Sequence, residues 1–317
     1  MSELSFKEAK VLVVGDSMLD RYWFGDVNRI SPEAPVPVVR VTHQEERLGG
    51  AANVALNIAS IGATPALLSV VGKDEAGQKL ELLARRAGIR PEFDIDTDIS
   101  TTVKLRIIGR QQQMVRCDFE ATPHQDSLNR LLSNFEAVIA DYQILVLSDY
   151  GKGVLSHIRQ MIQTAQTHGI PVLIDPKGSD YDRYQGATII TPNRSELQQV
   201  VGSWNNEQDL QNKAQALRER LKLKYLLLTR SEEGMTLYSD KGSLSVAAQA
   251  REVYDVSGAG DTAIAVLATM LAKGFDIETS VNTANRAAGI VVGKLGTAAI
   301  NYEELFPKQV LTDSAKH

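Results

Sequence analysis

Short runs of β-branched and aliphatic residues alternate along this chain with longer stretches of helical periodicity, the pattern of βαβ units around a mainly parallel sheet. Val11-Leu12-Val13-Val14-Gly15 reads as a strand buried on both faces, because no polar residue interrupts it. Ala66–Val71 is a second strand, followed by a helix from Glu75 to about Arg86. Ile144–Leu147 is a third, followed by a helical stretch from Ser156 to His168. Val172–Ile174 and Thr188–Ile190 come next, and Tyr225–Thr229 closes the series. Each strand ends in a polar or glycine-containing turn, among them Gly15-Asp16, Ser148-Asp149, Asp175-Pro176 and Thr191-Pro192-Asn193. Open α/β sheets bind ligands at the carboxyl ends of their strands, so chemistry is expected at these turns.

Two segments break the alternation. Residues 29–41 carry three prolines before a β-rich run, which suits an edge strand or extended cover and not a central strand. Thr102–Ile108 and Met114–Phe119 read as a hairpin around Gly109-Arg110-Gln111-Gln112. Together, at roughly 17–42 and 100–120, they would form a small β lid or a dimerisation surface within one domain spanning 1–317. No repeat or linker marks a second domain.

Composition argues against several function classes. A net charge of −5 argues against nucleic acid or an anionic membrane surface as partner. No apolar run approaches the roughly 20 residues that cross a bilayer. A lone cysteine, Cys117, forms no internal disulfide and fits a reducing cytoplasm. Five scattered histidines give no structural zinc pattern.

The most informative stretch is Asp255-Val-Ser-Gly-Ala-Gly-Asp261, which runs directly into the apolar helical segment Thr262–Leu271. Gly258, Ala259 and Gly260 leave backbone amides uncovered at a helix start, where amide dipoles and the macrodipole attract anionic oxygens. Asp261 follows at once, a carboxylate placed to take the proton of an attacking hydroxyl. Phosphoryl transfer needs that pair of features: donors for the moving charge and a base for the nucleophile. An Asp in a first helical turn also simply complements the dipole, so the tetrapeptide alone would say little. No G-x-x-x-x-G-K-[ST] loop occurs, and Gly15-Asp16-Ser17 after the first strand is not G-x-G-x-x-G.

These seven residues resemble the signature of the ribokinase (PfkB) family of sugar and nucleoside kinases. Gly49-Gly50-Ala51-Ala52-Asn53 resembles that family's N-terminal signature, and the likeness covers essentially the whole chain. It implies a three-layer α/β/α ribokinase-like sandwich with a β lid, and ATP and Mg²⁺ as cosubstrates, with room for a monovalent cation. It also implies phosphorylation of a sugar hydroxyl. In it, Gly49, Gly50 and Asn53 would hold substrate hydroxyls; a tightly packed helix start explains the same small residues. Asp16 and Asp20 would face that pocket, although an Asp after a strand is a common turn residue. Asn193-Arg-Ser-Glu196 is both a capping-box pattern and the family's N-x-x-E motif, in which Glu196 orders the Mg²⁺ hydration shell and Asn193 lies near the phosphates. Thr229 and Gly234 would frame the nucleotide loop T-x-G-x-x-G, where Ser231 replaces the first glycine. Asn285 matches a position bordering the adenine pocket. Lys177 either meets a phosphate or is a solvated surface lysine.

Lys104 and Arg106 lie two apart on a strand and hence on one face, which would suit an anionic substrate; Arg110 and Arg116 equally suit an edge strand that blocks aggregation. Ser148-Asp149-Tyr-Gly-Lys152-Gly153 adds a basic turn whose Asp149 and Lys152 would border the substrate. With residues 29–38 and Asp175-Pro-Lys177, these stretches are similar to a branch of the family that phosphorylates heptose 7-phosphate at the anomeric hydroxyl for lipopolysaccharide core assembly. Many of its members are fused to an adenylyltransferase with an H-x-G-H motif. That motif is absent here, so a stand-alone or truncated kinase is expected, with a homodimer formed through the lid. Another sugar or sugar-phosphate kinase, or a non-catalytic sensor on the same fold, are the competing readings.

Overall fold

The structure is a computed structural model that describes residues 5–110, 112–249, 253–294 and 296–307; the turn residue Gln111 lies outside them. Its first strand, β1 (Lys10–Gly15), sets the layers. Successive side chains point to opposite faces, so Val11 and Val13 enter one hydrophobic core while Leu12 and Val14 enter another. A strand apolar on both faces needs helices on both.

β2 (Ser17–Ile30) and β3 (Pro37–Gly50) depart from that sheet, and α1 (Ala51–Ser60) brings the chain back to β4 (Thr64–Gly72). α2 (Glu75–Arg86) and β5 (Arg90–Asp96) follow, then β6 (Val103–Gly109) and β7 (Gln112–Phe119). The alternation resumes with α3 (Gln125–Val138), β8 (Ile144–Ser148), α4 (Ile158–Thr167), β9 (Val172–Asp175) and β10 (Ile189–Ile190). Next come α5 (Arg194–Val201), α6 (Glu207–Arg220), β11 (Tyr225–Thr229), β12 (Met235–Ser239) and β13 (Gly242–Val246). α7 (Ala259–Ala272), α8 (Ile277–Val291) and the short α9 (Tyr302–Leu305) complete the described chain. None of these helices is long and apolar enough to cross a membrane.

The large sheet has the order β13-β12-β11-β10-β9-β8-β1-β4-β5 and is parallel except at β11–β12 and β12–β13. Helices α1, α2, α7 and α8 feed the core on one face; α3, α4, α5 and α6 feed the other. This is the three-layer α/β/α arrangement. The sheet does not close at Thr229 as the sequence reading has it, because β12 and β13 extend it antiparallel; the Ser- and Gly-containing run of β13 carries little strand signal, and β12 is only five residues long. β5 also escapes that reading: it is an edge strand with charged residues and Pro91, which only an edge tolerates.

The smaller sheet has the order β3-β2-β6-β7, and β2 pairs parallel with β6. It reaches past residue 42, since β3 stays paired with β2 as far as Gly50, opposite Ser17, and runs directly into α1. Edge position suits β3, whose first residue is Pro37.

α7 is buried from Asp261 through Met270. A helix apolar on all sides belongs in an interior, and Asp261 is the charged residue this one carries there.

Candidate active site

The carboxyl ends of β8 to β11 and the N-terminus of α7 enclose a cavity of about 770 Å³. α7 starts at Gly258, with φ +79°, and no side chain caps it. The first amides of a helix have no intrahelical partner, and Gly258, Ala259, Gly260 and Asp261 all line the cavity. The Ala259 amide turns back onto Val256 O at 3.3 Å, so the helix offers an anion chiefly the amides that follow it. A Cβ on Gly258 would come within 3.0 Å of Asn53 Nδ2, whereas one on Gly260 would meet nothing within 4 Å. The first glycine admits Asn53, and the second keeps the helix mouth open.

Asp261 is 3% exposed. Its Oδ2 accepts a 2.7 Å bond from Asn53 Nδ2 and its Oδ1 a 2.7 Å bond from the Tyr150 hydroxyl. Burial pushes its carboxyl up to about 6, against the pull of those two bonds, which favour the anion. Asn53 is itself held: Asn57 Nδ2 donates to its carbonyl at 2.9 Å, and Asn57 Oδ1 accepts from Thr262 Oγ1 at 3.1 Å. The two signatures of the sequence thus meet at one carboxylate. Asn53 reaches Asp261 directly.

The residues expected to meet a nucleotide gather around the cavity. Lys177, Asn193, Glu196, Thr229, Gly234 and Asn285 all line it. Asn193 caps α5 and Glu196 reciprocates, a full capping box with bonds of 2.9 and 3.0 Å. The other Glu196 oxygen pairs with Lys177 Nζ at 3.0 Å. Gly234 has φ +89°, and a Cβ there would lie 2.0 Å from Val246 O, so glycine alone fits. Ser231, which departs from the family pattern, nevertheless adopts φ +53°, the left-handed conformation that glycine favours. The backbone of the loop is kept where the residue is not. Asn285 Nδ2 donates to Ala247 O at 2.8 Å, tying α8 to the segment after β13.

Several sugar-side expectations change. Asp16 is 1% exposed, and its carboxylate accepts the amides of Tyr150 (2.8 Å), Lys152 (3.0 Å) and Val154 (3.1 Å). It pins the loop after β8; burial outweighs those amides and raises its carboxyl above the usual range. Gly49 and Gly50 are buried against the protein itself: a Cβ on Gly49 would lie 2.7 Å from Asp20 Oδ2, and one on Gly50 2.3 Å from Asp16 O. The close approach they permit is that of the end of β3 to β2 and to the turn before it. Asp20 is buried in an ion pair with Arg106 at 2.6 Å, so neither is free as it stands. Lys152 pairs with Glu120 at 2.6 Å, and Asp149 accepts the Tyr184 hydroxyl at 2.8 Å while lining the cavity. Lys104 differs. Its Nζ sits 5.5 Å from the Tyr150 ring centroid, and burial lowers its pKa.

Tyr150 and Asp175 are among the cavity residues with no role in the sequence analysis. Tyr150 touches Asp261, and the only hint was an aromatic residue within a strand-end turn. Asp175, at the end of β9, is held well above the ordinary carboxylate range by burial and then by the charges of Asp261 and Glu196. Its strand-end position was visible; the convergence of three acids was not.

The pfkB family carbohydrate kinase model matches residues 8–304. A D-beta-D-heptose 7-phosphate kinase from Bordetella bronchiseptica is 54% identical, covering 94% of this chain and 95% of that one. The bifunctional protein HldE of Haemophilus ducreyi is 52% identical over 95% of this chain, which spans 64% of its length. Among solved structures, Escherichia coli phosphofructokinase-2 in complex with potassium overlays with a TM-score of 0.77 at 20% identity, over 94% of this chain and 97% of that one. Arabidopsis thaliana ribokinase with ribose and ATP gives 0.73 at 19%, over 94% and 97%. With its ribokinase-like fold and a family match across nearly its whole described length, the chain belongs to the PfkB family of carbohydrate kinases.

Proposed function

We propose that this chain transfers the γ-phosphoryl of ATP to the anomeric O1 of D-glycero-D-manno-heptose 7-phosphate, giving the 1,7-bisphosphate used for ADP-heptose and lipopolysaccharide core synthesis. The observation that carries the reaction is Asp261, a buried carboxylate adjoining an uncapped helix N-terminus in one cavity. Asp261 accepts the proton as the anomeric hydroxyl attacks, and the amides at the mouth of α7 stabilise the charge spread over the transferring group. The choice of sugar rests on the 54% identical heptose 7-phosphate kinase. ATP occupies the cavity walled by Thr229, Gly234 and Asn285. Glu196 and Asp175 offer the hard oxygen ligands that Mg²⁺ favours, directly or through water. Held there, Mg²⁺ would supply neutralisation of the phosphate charge. Lys104, whose charge burial disfavours, meets the substrate's existing phosphate.

ADP release over a panel of sugars tests this. Heptose 7-phosphate is expected to be strongly preferred to free heptose, ribose and fructose. Lys104→Ala is expected to raise its KM about tenfold or more with the ATP KM unchanged. A preference for unphosphorylated ribose or fructose would remove the substrate and leave the family standing.

The free Cys117 supports a cytoplasmic setting. The lid supports a homodimer, since it exposes large apolar residues such as Ile30 (62%) and Phe119 (53%). Sedimentation equilibrium is expected to give twice the chain mass, and Phe119→Asp to shift the chain towards monomer; a wild-type monomer at micromolar concentration counts against the lid interface.

A further inference from the structure

The Asp261 carboxylate is gripped from two sides, by Asn53 on Oδ2 and by the Tyr150 hydroxyl on Oδ1. Tyr150 is an unusual donor, because its place is fixed twice over. Its backbone amide is bound by the buried Asp16 carboxylate at 2.8 Å, and that same carboxylate holds Lys152 and Val154. Its ring lies beneath Lys104 of β6. We propose that Tyr150 is a positioning residue for the phosphoryl transfer: its hydroxyl fixes the rotation of the Asp261 carboxylate and supports its negative charge. A carboxylate has about four lone-pair sites. Asn53 and Tyr150 take one on each oxygen, leaving the others for the sugar hydroxyl. Tyr150 does not compete for the proton, since burial and the neighbouring Asp261 charge raise its own hydroxyl well above the tyrosine range. The other charged groups acting on Asp261 are Asp20 of β2, which disfavours its ionisation, Lys104 of β6, which favours it, and the partly buried Asp175 at the end of β9. The inference rests on Asp261 being the base.

Tyr150→Phe tests it, since it keeps the ring and removes only the donor. Losing a hydrogen bond to an anion is expected to move the acid limb of the kcat/KM profile upward by about one pH unit. At pH 7 kcat is expected to fall several-fold, with the ATP KM unchanged and no rise in sugar-independent ATP hydrolysis. The limb position does not depend on the fraction of active protein, so partial misfolding does not mask it. An unmoved limb overturns the inference. A rise in sugar-independent hydrolysis also overturns it, because the hydroxyl would then be a plug that substrate displaces. Asp261→Asn, assayed alongside, separates two failures. If that variant is inactive and the Tyr150→Phe limb is unmoved, only the positioning role falls; if it keeps turnover, the base assignment falls.

Discussion

Asp261→Asn is expected to lower kcat by about 10²-fold or more while ATP still binds, measured by steady-state kinetics and by calorimetric titration with nucleotide. The substitution nearly preserves shape. Its amide oxygen can accept from Asn53 Nδ2, and its NH₂ can donate to the Tyr150 hydroxyl oxygen, so the buried polar groups stay satisfied. What disappears is the ability to take a proton. In the native protein the carboxyl titrates at about 6, because burial raises it from 3.8. Only the anion is a base, so kcat/KM is expected to climb through about pH 6 and level off above pH 7. Stability runs the other way. A group whose pKa rises on folding binds its proton more tightly in the folded state, so its contribution is fully present below 3.8 and lost as pH rises through about 6. The variant should therefore show a flatter stability profile across that window. Turnover within a few-fold of wild type would remove Asp261 from the chemistry.

The large sheet and the helix that carries this base were legible in the sequence for the same physical reason. Strands buried on both faces, such as Val11–Val14, must be apolar throughout, and α7 must be apolar on every side. Strands at the edges escape because solvent relaxes their composition, as at Arg90–Asp96 and Gly242–Val246. In the site, Gly258 and Asp261 stood out because a single short segment supplies both the amides and the carboxylate. Residues brought together by the fold were harder to place. Asn53 and Asp261 lie 208 positions apart, and Tyr150 and Asp261 lie 111 apart. Nothing local to Asp16 or Asp20 announces that one will gather three amides and the other an arginine. A polar residue at a strand end points to the site, but its partner decides whether it meets substrate or the protein.

Asp16→Ala brings that distinction to experiment. The three amides at Tyr150, Lys152 and Val154 lose their acceptor together, in a place where water has little access. An unsatisfied buried donor costs about 1–3 kcal/mol, so destabilisation of about 3 kcal/mol or more is expected in chemical denaturation. The loss should also reach catalysis, because the loop that Asp16 holds carries Tyr150 to the base. kcat is expected to drop even where the variant remains folded, and the sugar KM to change little. A residue that held sugar hydroxyls would behave in the opposite way, with a raised sugar KM and unaltered folding. That second pattern would return Asp16 to the substrate pocket, and the account of a carboxylate that organises the active-site loop from behind would fail.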